Sequence, residues 1–205
     1  PNAAAFAQSA IITGVVGMTL SLATANGLGA ALDVRQAYLL TVGIWAFVPA
    51  FGALPFWLGA PGLPPVYAYF EGVSGITTTG ASVITGLPDL PQGLNLWRGM
   101  MNWLGGLGIA FIAMIFLPIM RVGGMQFFRT EGFDTFGKAL PRATDIARQL
   151  LIFYCTLTVI IIATYSALGM NELDAVVHGM STISTGGFST RDTSFSNYSP
   201  AIHYA

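Results

Sequence analysis

Two stretches rich in glycine and hydroxyl residues interrupt a largely apolar sequence. They read "GVSGITTTGAS" at residues 72–82 and "GMSTISTGGFS" at residues 179–189. Successive backbone carbonyls turned to one side can replace the hydration shell of a cation, as they do in ion-selective filters. Glycine suits such a segment because it adopts positive φ without steric cost. Both stretches are therefore candidate cation-binding loops.

The second stretch repeats the first at an offset of 107 residues, counted from Gly72 to Gly179, and no gap is needed. The other matched pairs are Ser74 and Ser181, Ile76 and Ile183, Thr78 and Thr185, Gly80 and Gly187, and Ser82 and Ser189. Each copy follows an apolar span, and another span follows the first copy. This pattern predicts an internal repeat of helix, re-entrant loop and helix.

The composition indicates an integral membrane protein. Of the 205 residues, 54% are hydrophobic and 8% are charged, whereas about a quarter of a soluble domain is charged. Four stretches provide the ~20 mostly apolar residues that a membrane span requires. They cover roughly residues 4–25, 37–58, 96–118 and 147–168, and Pro49 and Pro55 are expected to kink the second. The net charge of −1 argues against a nucleic-acid partner.

The basic residues predict the orientation of these spans. Arg35 lies between the first two spans, and Arg98 and Arg191 fall on the opposite face. The remaining basic residues lie between the third and fourth spans, and they are Arg121, Arg129, Lys138, Arg142 and Arg148. Because Lys and Arg favour the cytoplasmic side, both repeated stretches are expected to open towards the outside. The loop at 119–146 is either a solvated connection or a docking surface for a cytosolic partner.

The first repeated stretch begins with a segment too short to cross a bilayer. Residues 66–76 are eleven in number, and as a helix they cover about half of the hydrocarbon thickness. Residues 77–82 have no helical character, and such backbone exists at membrane depth only where it is buried in protein or lines water. The carboxyl end of a half-helix also favours a cation. The sequence predicts an all-α integral membrane protein with repeated helix, re-entrant pore loop and helix units around a pseudo-symmetric pore.

Five motifs carry a resemblance to a known family. They are "FEGVSGITTTGAS" at 70–82, "HGMSTISTGGFST" at 178–190, "LWRGMMNWLGGLGIAFIAMIFLP" at 96–118, "VGGMQFFRTE" at 122–131 and "LPRATDIA" at 140–147. On these motifs, nearly the whole sequence resembles the Trk/Ktr/HKT superfamily of potassium transporters, and within it the bacterial TrkH/TrkG subunits. The resemblance implies four repeats around one pore, of which about two fall within this sequence.

The same resemblance implies a division of the chain and a cellular setting. Residues 1–30 are expected to hold an extra N-terminal transmembrane helix, 37–120 the first repeat, 121–146 a cytoplasmic linker, and 147–205 a second repeat without its closing helix. The implied cargo is K⁺, with no organic cofactor and no enzyme activity. The implied setting is the lipid bilayer of a bacterial inner membrane, as a homodimer with a cytosolic nucleotide-binding subunit of the TrkA type, and with the filter mouths facing the periplasm.

The resemblance also assigns the candidate site. Gly80 and Gly187 match the single filter glycine of each repeat, which the family associates with potassium rather than sodium selectivity. The implied ion contacts are the backbone carbonyls of Thr78, Thr79, Gly80, Thr185, Gly186 and Gly187. Thr77 and Ser184 are weaker candidates.

Several charged residues near these loops leave two interpretations open. Glu71 lies at membrane depth, where burying a carboxylate is expensive. We expect it to accept hydrogen bonds behind the filter, and the alternative is a direct ion ligand. Its repeat counterpart is His178, which lacks the neighbours of a metal site. Asp174 is expected to suit the dipole of the second short helix, while Arg191 and Asp192 either shape the mouth or are solvated.

The remaining motifs bear on other functions. "GGLG" at 105–108 predicts close helix packing rather than a nucleotide loop, since no strand precedes it. No Ser/His/Asp or Cys/His arrangement predicts an enzyme. Two alternatives to a potassium path stay open: a secondary active transporter with broken helices, and a non-conducting regulatory or scaffold subunit.

Overall fold

The computed structural model describes residues 2–27, 34–120 and 143–204, and the regular structure in these residues is helical. The α-helices are α1 Ala3–Thr24, α2 Val34–Gly52, α3 Leu54–Leu58, α4 Pro65–Ile76, α5 Gln92–Met120, α6 Ala143–Ala167, α7 Glu172–Ile183 and α8 Pro200–His203. Short 3-10 turns cover Ala25–Gly27, Leu87–Asp89 and Ser194–Asn197. The predicted linker at 121–146 lies outside the described residues up to position 142.

Three segments of the described residues are long and apolar enough to cross a membrane. They are Ala3–Thr24, Tyr38–Leu58 and Ala147–Ala167, which match three of the four predicted spans. The fourth predicted span, 96–118, lies within α5. Large apolar side chains on these helices stay exposed, among them Ile11, Leu22, Phe47, Phe153 and Val159. Such outward apolar faces are expected of helices that contact lipid.

The second predicted span is broken between its two prolines. Pro49 lies inside α2, and its carbonyl still accepts a hydrogen bond from the amide of Ala53 at 2.8 Å. The chain then leaves α2 after Gly52 and restarts as α3, with Pro55 in the first turn. Proline is tolerated in a first turn because the amide that it lacks has no partner there. An interruption therefore falls at Ala53, between the two prolines.

The two half-helices, α4 and α7, each contain 12 residues. Pro65 occupies the first position of α4, so the observed start differs by one residue from the predicted one. At the start of α7, the side chain of Asn171 accepts a hydrogen bond from the amide of Asp174 at 2.9 Å. Asp174 is an acidic residue of the first turn, as predicted, where a negative charge suits the helix dipole.

Helix α5 packs against both half-helices, and glycines make this close approach possible. A Cβ on Gly105 would overlap the carbonyl oxygen of Ile76 at the end of α4. A Cβ on Gly106 would lie 2.7 Å from the Cβ of Ser184, which follows α7. The prediction that "GGLG" serves helix packing is therefore confirmed for these two glycines. Through them, α5 lies against the carboxyl ends of α4 and α7 together.

Candidate functional site

The loops that follow α4 and α7 share an unusual backbone conformation. The φ angle is +55° at Thr78 and +53° at Thr185, and it is +75° at Gly80 and +85° at Gly187. Positive φ is rare outside glycine, and it is a genuine outlier for a β-branched residue such as threonine. Because both loops contain this outlier at the same position, it is a shared feature of the two copies of the repeat. Strained backbone of this kind clusters at functional sites.

Both loops are fastened to their half-helices by the same hydrogen bonds. The amide of Thr79 donates to the carbonyl of Ser74 at 2.9 Å, and the amide of Gly186 donates to the carbonyl of Ser181 at 2.8 Å. The preceding amides are matched as well: Thr78 donates to Gly75 at 3.1 Å, and Thr185 donates to Thr182 at 3.0 Å. Each loop therefore continues directly from the carboxyl end of a half-helix, where the helix dipole is negative.

Gly80 lies directly against the loop of the second repeat. A Cβ on Gly80 would overlap the carbonyl oxygen of Gly186 and lie 3.1 Å from the Cα of Gly187. A Cβ on Gly187 would lie 3.8 Å from the Cα of Gly80, which is an ordinary contact. The fold thus brings these three candidate residues together. It requires the absence of a side chain at Gly80 for two reasons, the positive φ and the contact.

The candidate carbonyls have no protein donor among the described residues. In the part of the chain that the structure describes, we find no donor on the carbonyl oxygens of Thr78, Thr79, Gly80, Thr185, Gly186 and Gly187. The weaker candidates, Thr77 and Ser184, use their side-chain hydroxyls to donate hydrogen bonds to carbonyls of the half-helices. Thr77 donates to the carbonyl of Val73 at 2.8 Å, and Ser184 donates to the carbonyl of Met180 at 2.9 Å.

Glu71 is fully buried behind the first loop, and both of its carboxylate oxygens have protein donors. Oε1 accepts from the hydroxyl of Ser82 at 2.8 Å, and Oε2 accepts from the amide of Val83 at 3.1 Å. Oε1 also accepts from Nε of Arg98 at 2.8 Å. The carboxylate therefore holds the segment that follows the loop.

Arg98 is the site residue that the sequence analysis missed. It was assigned to one face of the membrane as a topological marker, but its side chain is only 1% exposed and forms an ion pair with Glu71. Its Nη2 donates to the hydroxyl of Ser82 at 3.0 Å, and its Nη1 donates to the carbonyl of Ser189 at 2.8 Å. Two opposite charges at membrane depth were the available signal, because such charges usually pair with each other.

His178 occupies in the second repeat the place that Glu71 occupies in the first. Its Nδ1 lies 2.7 Å from the carbonyl of Asp174, so this nitrogen carries the proton. Its Nε2 then accepts a hydrogen bond from the hydroxyl of Ser189 at 2.9 Å. Ser189 is the repeat counterpart of Ser82. Both ring nitrogens are therefore used within the protein.

Comparison with known proteins identifies the family. A sequence model of the TrkH family, described as a cation transport protein, matches residues 2–204. The chain belongs to the TrkH family. It is similar to the Trk system potassium uptake protein TrkI of Halomonas elongata, with 42% identity over 198 residues, which are 97% of this chain and 40% of that protein. It is also similar to the Trk system potassium uptake protein TrkH of Escherichia coli K12, with 40% identity over 176 residues, 84% of this chain and 36% of that protein.

A solved structure supports the same assignment. The crystal structure of the potassium transporter TrkH from Vibrio parahaemolyticus matches with a TM-score of 0.74 and 35% sequence identity, covering 86% of this chain and 35% of that one. The predicted all-α membrane fold is thereby confirmed. The chain spans about two-fifths of the length of the curated relatives it matches.

In this TrkH-family chain, Asp192 links the segments that follow the two loops. Its two carboxylate oxygens each accept a hydrogen bond from the amide of Gly86 at 3.1 Å, and Oδ1 also accepts from the amide of Leu87 at 3.2 Å. The sequence had left Asp192 either at a structured mouth or on a solvated surface. The structure gives it contacts between the repeats.

Asp174 organises the segment that follows the second loop of the TrkH-family chain. Its carboxylate accepts hydrogen bonds from Thr190 at 2.5 Å, from Tyr198 at 2.7 Å and from Arg191 at 3.1 Å. Hydrogen bonds to Tyr198 and Asp174, together with the charge of Asp174, raise the pKa of Arg191. Burial, followed by the bond to Asp174, raises the pKa of Tyr198. Both groups therefore remain protonated donors at neutral pH.

Proposed function

We propose that this chain carries part of a potassium path across a bacterial membrane, with its two loops forming part of a carbonyl-lined selectivity filter. The observation that carries the proposal is the shared positive φ at Thr78 and Gly80 and at Thr185 and Gly187. Such a backbone can turn successive carbonyls towards an ion. The relatives named as potassium uptake proteins support potassium as the cargo.

The proposed ion contacts are six carbonyls on which we find no donor among the described residues, those of Thr78, Thr79, Gly80, Thr185, Gly186 and Gly187. Thr77 and Ser184 remain weaker candidates. The carboxyl ends of α4 and α7 add about half a negative elementary charge each, which favours a cation in front of them. Glu71 is proposed as a filter support rather than an ion ligand, because its carboxylate oxygens already accept hydrogen bonds from Ser82, Val83 and Arg98.

The division of the chain and its setting belong to the same proposal. We assign residues 1–30 to an extra N-terminal helix, 37–120 to the first repeat, 121–146 to a cytoplasmic linker, and 147–205 to the second repeat. The protein would lie in the bacterial inner membrane with its filter mouths facing the periplasm. It would work as a homodimer with a cytosolic nucleotide-binding subunit of the TrkA type. The family relationship and the three membrane-length helices support this setting.

Rubidium uptake tests the proposed filter. The product of the complete gene, in liposomes with its cytosolic partner, is expected to take up rubidium, and potassium is expected to inhibit this uptake more than sodium does. Gly187→Asp is expected to abolish that preference, because a carboxylate enters the loop. Gly169→Asp is the matched control, since Gly169 also has positive φ (+98°) but lies outside both loops, with nothing within 4 Å of a Cβ. If Gly187→Asp and Gly169→Asp showed the same preference for potassium over sodium, the filter assignment would be overturned.

A further inference from the structure

One face of α5 reaches both loops through two polar side chains, Arg98 and Asn102. Residues four apart lie on the same face of a helix, one turn from each other. Both side chains are buried, with exposed fractions of 1% and 0%. Although α5 closes the first repeat, this face also contacts the loop of the second repeat.

The guanidinium of Arg98 joins groups of both repeats. It bonds Glu71 and Ser82 of the first repeat, at 2.8 Å and 3.0 Å, and the carbonyl of Ser189 of the second repeat at 2.8 Å. Its carbon Cζ also lies 4.2 Å from the centroid of the Phe188 ring, within cation–π range. Ser82 and Ser189 each lie two residues after the last candidate carbonyl of their loop, that of Gly80 or Gly187.

The carboxamide of Asn102 makes a second connection one turn along α5. With its nitrogen turned to Gly75, it donates to that carbonyl at 2.8 Å and accepts from the amide of Phe188 at 3.2 Å. This orientation pairs an acceptor and a donor that the opposite orientation leaves facing like groups. Gly75 lies in the last turn of α4, and Phe188 follows Gly187. Asn102 therefore ties the end of one half-helix to the neighbouring loop.

We propose that Arg98 is a positioning residue that fixes the two loops relative to each other and thereby sets the preference for potassium over sodium. Asn102 acts as the second tie. The inference rests on the proposed function, because it assigns to α5 the spacing between filter loops. Ligand groups must be held within about 0.5 Å of their working geometry by a rigid supporting shell. A single planar group that bonds both loops provides such a shell.

Lysine at this position separates charge from geometry. Arginine presents five donors in a rigid plane, whereas lysine presents three donors on one atom at the end of a flexible stem. Arg98→Lys would keep a positive charge beside Glu71. It would lose the planar arrangement that reaches Glu71, Ser82 and Ser189 together.

The test measures potassium and sodium inhibition of rubidium uptake by the product of the complete gene in liposomes with its cytosolic partner. Arg98→Lys, judged folded by its elution profile, is expected to lower the potassium preference about tenfold or more, which corresponds to the loss of a charge-assisted hydrogen bond. Asn102→Ala is expected to lower it less, because its bonds are neutral. Arg35→Gln, at an exposed arginine in the first turn of α2, is the matched control and should leave the preference unchanged.

The outcomes distinguish the inference from the proposed function. If Arg98→Lys folds and retains the potassium preference of the unsubstituted protein, the inference is overturned. If Gly187→Asp loses that preference in the same assay, the proposed filter is still supported. If the unsubstituted protein shows no preference for potassium in its uptake, both the inference about Arg98 and the proposed function are wrong. Should Arg98→Lys fail to fold, Ser82→Ala decides instead, because it removes one partner of the guanidinium and leaves the ion pair in place. A reduced preference in Ser82→Ala supports the inference, and an unchanged one overturns it.

Discussion

The two candidate filter loops share their backbone but differ in the side chain that supports them. In the first repeat, the carboxylate of Glu71 accepts a hydrogen bond from Ser82 at 2.8 Å. In the second repeat, the imidazole of His178 accepts one from Ser189 at 2.9 Å. A charged and a neutral acceptor therefore hold the same serine of the repeat. The loop needs an acceptor at this place, and its charge is decided by other neighbours.

Arg98 explains why the charge belongs to the first repeat. Its guanidinium pairs with Glu71 but meets the second repeat through the neutral carbonyl of Ser189. A carboxylate at position 178 would lack this counter-charge, and an uncompensated buried charge is strongly destabilising. A neutral histidine avoids that cost. The comparison teaches that one helix in contact with both repeats makes two equivalent positions chemically different.

The largest effect is expected where the two loops touch each other. In Gly80→Ala the new Cβ would overlap the carbonyl oxygen of Gly186, whereas in Gly187→Ala the new Cβ would meet Gly80 at 3.8 Å. Both changes place alanine at positive φ, at a cost of about 1–2 kcal/mol. Gly80→Ala adds a clash with backbone and should abolish rubidium uptake, while Gly187→Ala should retain part of it. Equal uptake by the two variants would contradict the asymmetric contact.

The next largest effect is expected at the supporting side chains, where loss of Glu71 should cost more stability than loss of His178. Glu71→Ala leaves Arg98 buried without its partner and should destabilise the protein by about 3–5 kcal/mol. His178→Ala removes neutral hydrogen bonds and should cost about 1–3 kcal/mol. Chemical unfolding in detergent micelles measures both free energies. If His178→Ala proved as costly as Glu71→Ala, the distinction between a charged and a neutral support would be wrong.

A smaller effect is expected in the "GGLG" motif of α5. Gly105→Ala places a Cβ against the carbonyl of Ile76, where the first loop begins, while a Cβ at Gly108 has no neighbour within 4 Å. Overpacking should make Gly105→Ala about 1–3 kcal/mol less stable. Gly108→Ala is the control, and its better helix propensity should make it neutral or up to about 1 kcal/mol more stable. Unfolding of both variants under the same conditions checks this order.

The smallest effect concerns the link between the segments that follow the loops. Asp192→Ala removes the acceptor for the amides of Gly86 and Leu87 and should cost about 1 kcal/mol. Hydrogen exchange of the peptide covering 83–90 should therefore become faster. Asp89→Ala changes another exposed carboxylate and should leave that exchange unchanged. Exchange that is as slow in Asp192→Ala as in the parent would show that this contact does not join the two repeats.

The sequence by itself determined the repeat, the half-helices and the positions of the loops. These features are local: the apolar segment before Thr77 is too short to span a bilayer, and the glycines at 80 and 187 mark positive φ. The matched positive φ of Thr78 and Thr185 could not be predicted from the sequence, because threonine rarely adopts that conformation. It follows from the way in which each loop is bonded to the last turn of its half-helix.

Only the tertiary structure decided how the two repeats support each other. Glu71 was recognised as a polar residue at membrane depth, but its partner Arg98 lies 27 residues away in the sequence, and the carbonyl of Ser189 lies 91 residues from Arg98. Neither contact can be predicted from hydrophobic periodicity or from turn-forming residues, because the partners are far apart in the sequence. Both depend on α5 packing between α4 and α7, which small residues such as Gly105 permit. The sequence specifies each loop locally, whereas the contact between the loops depends on packing across the repeats.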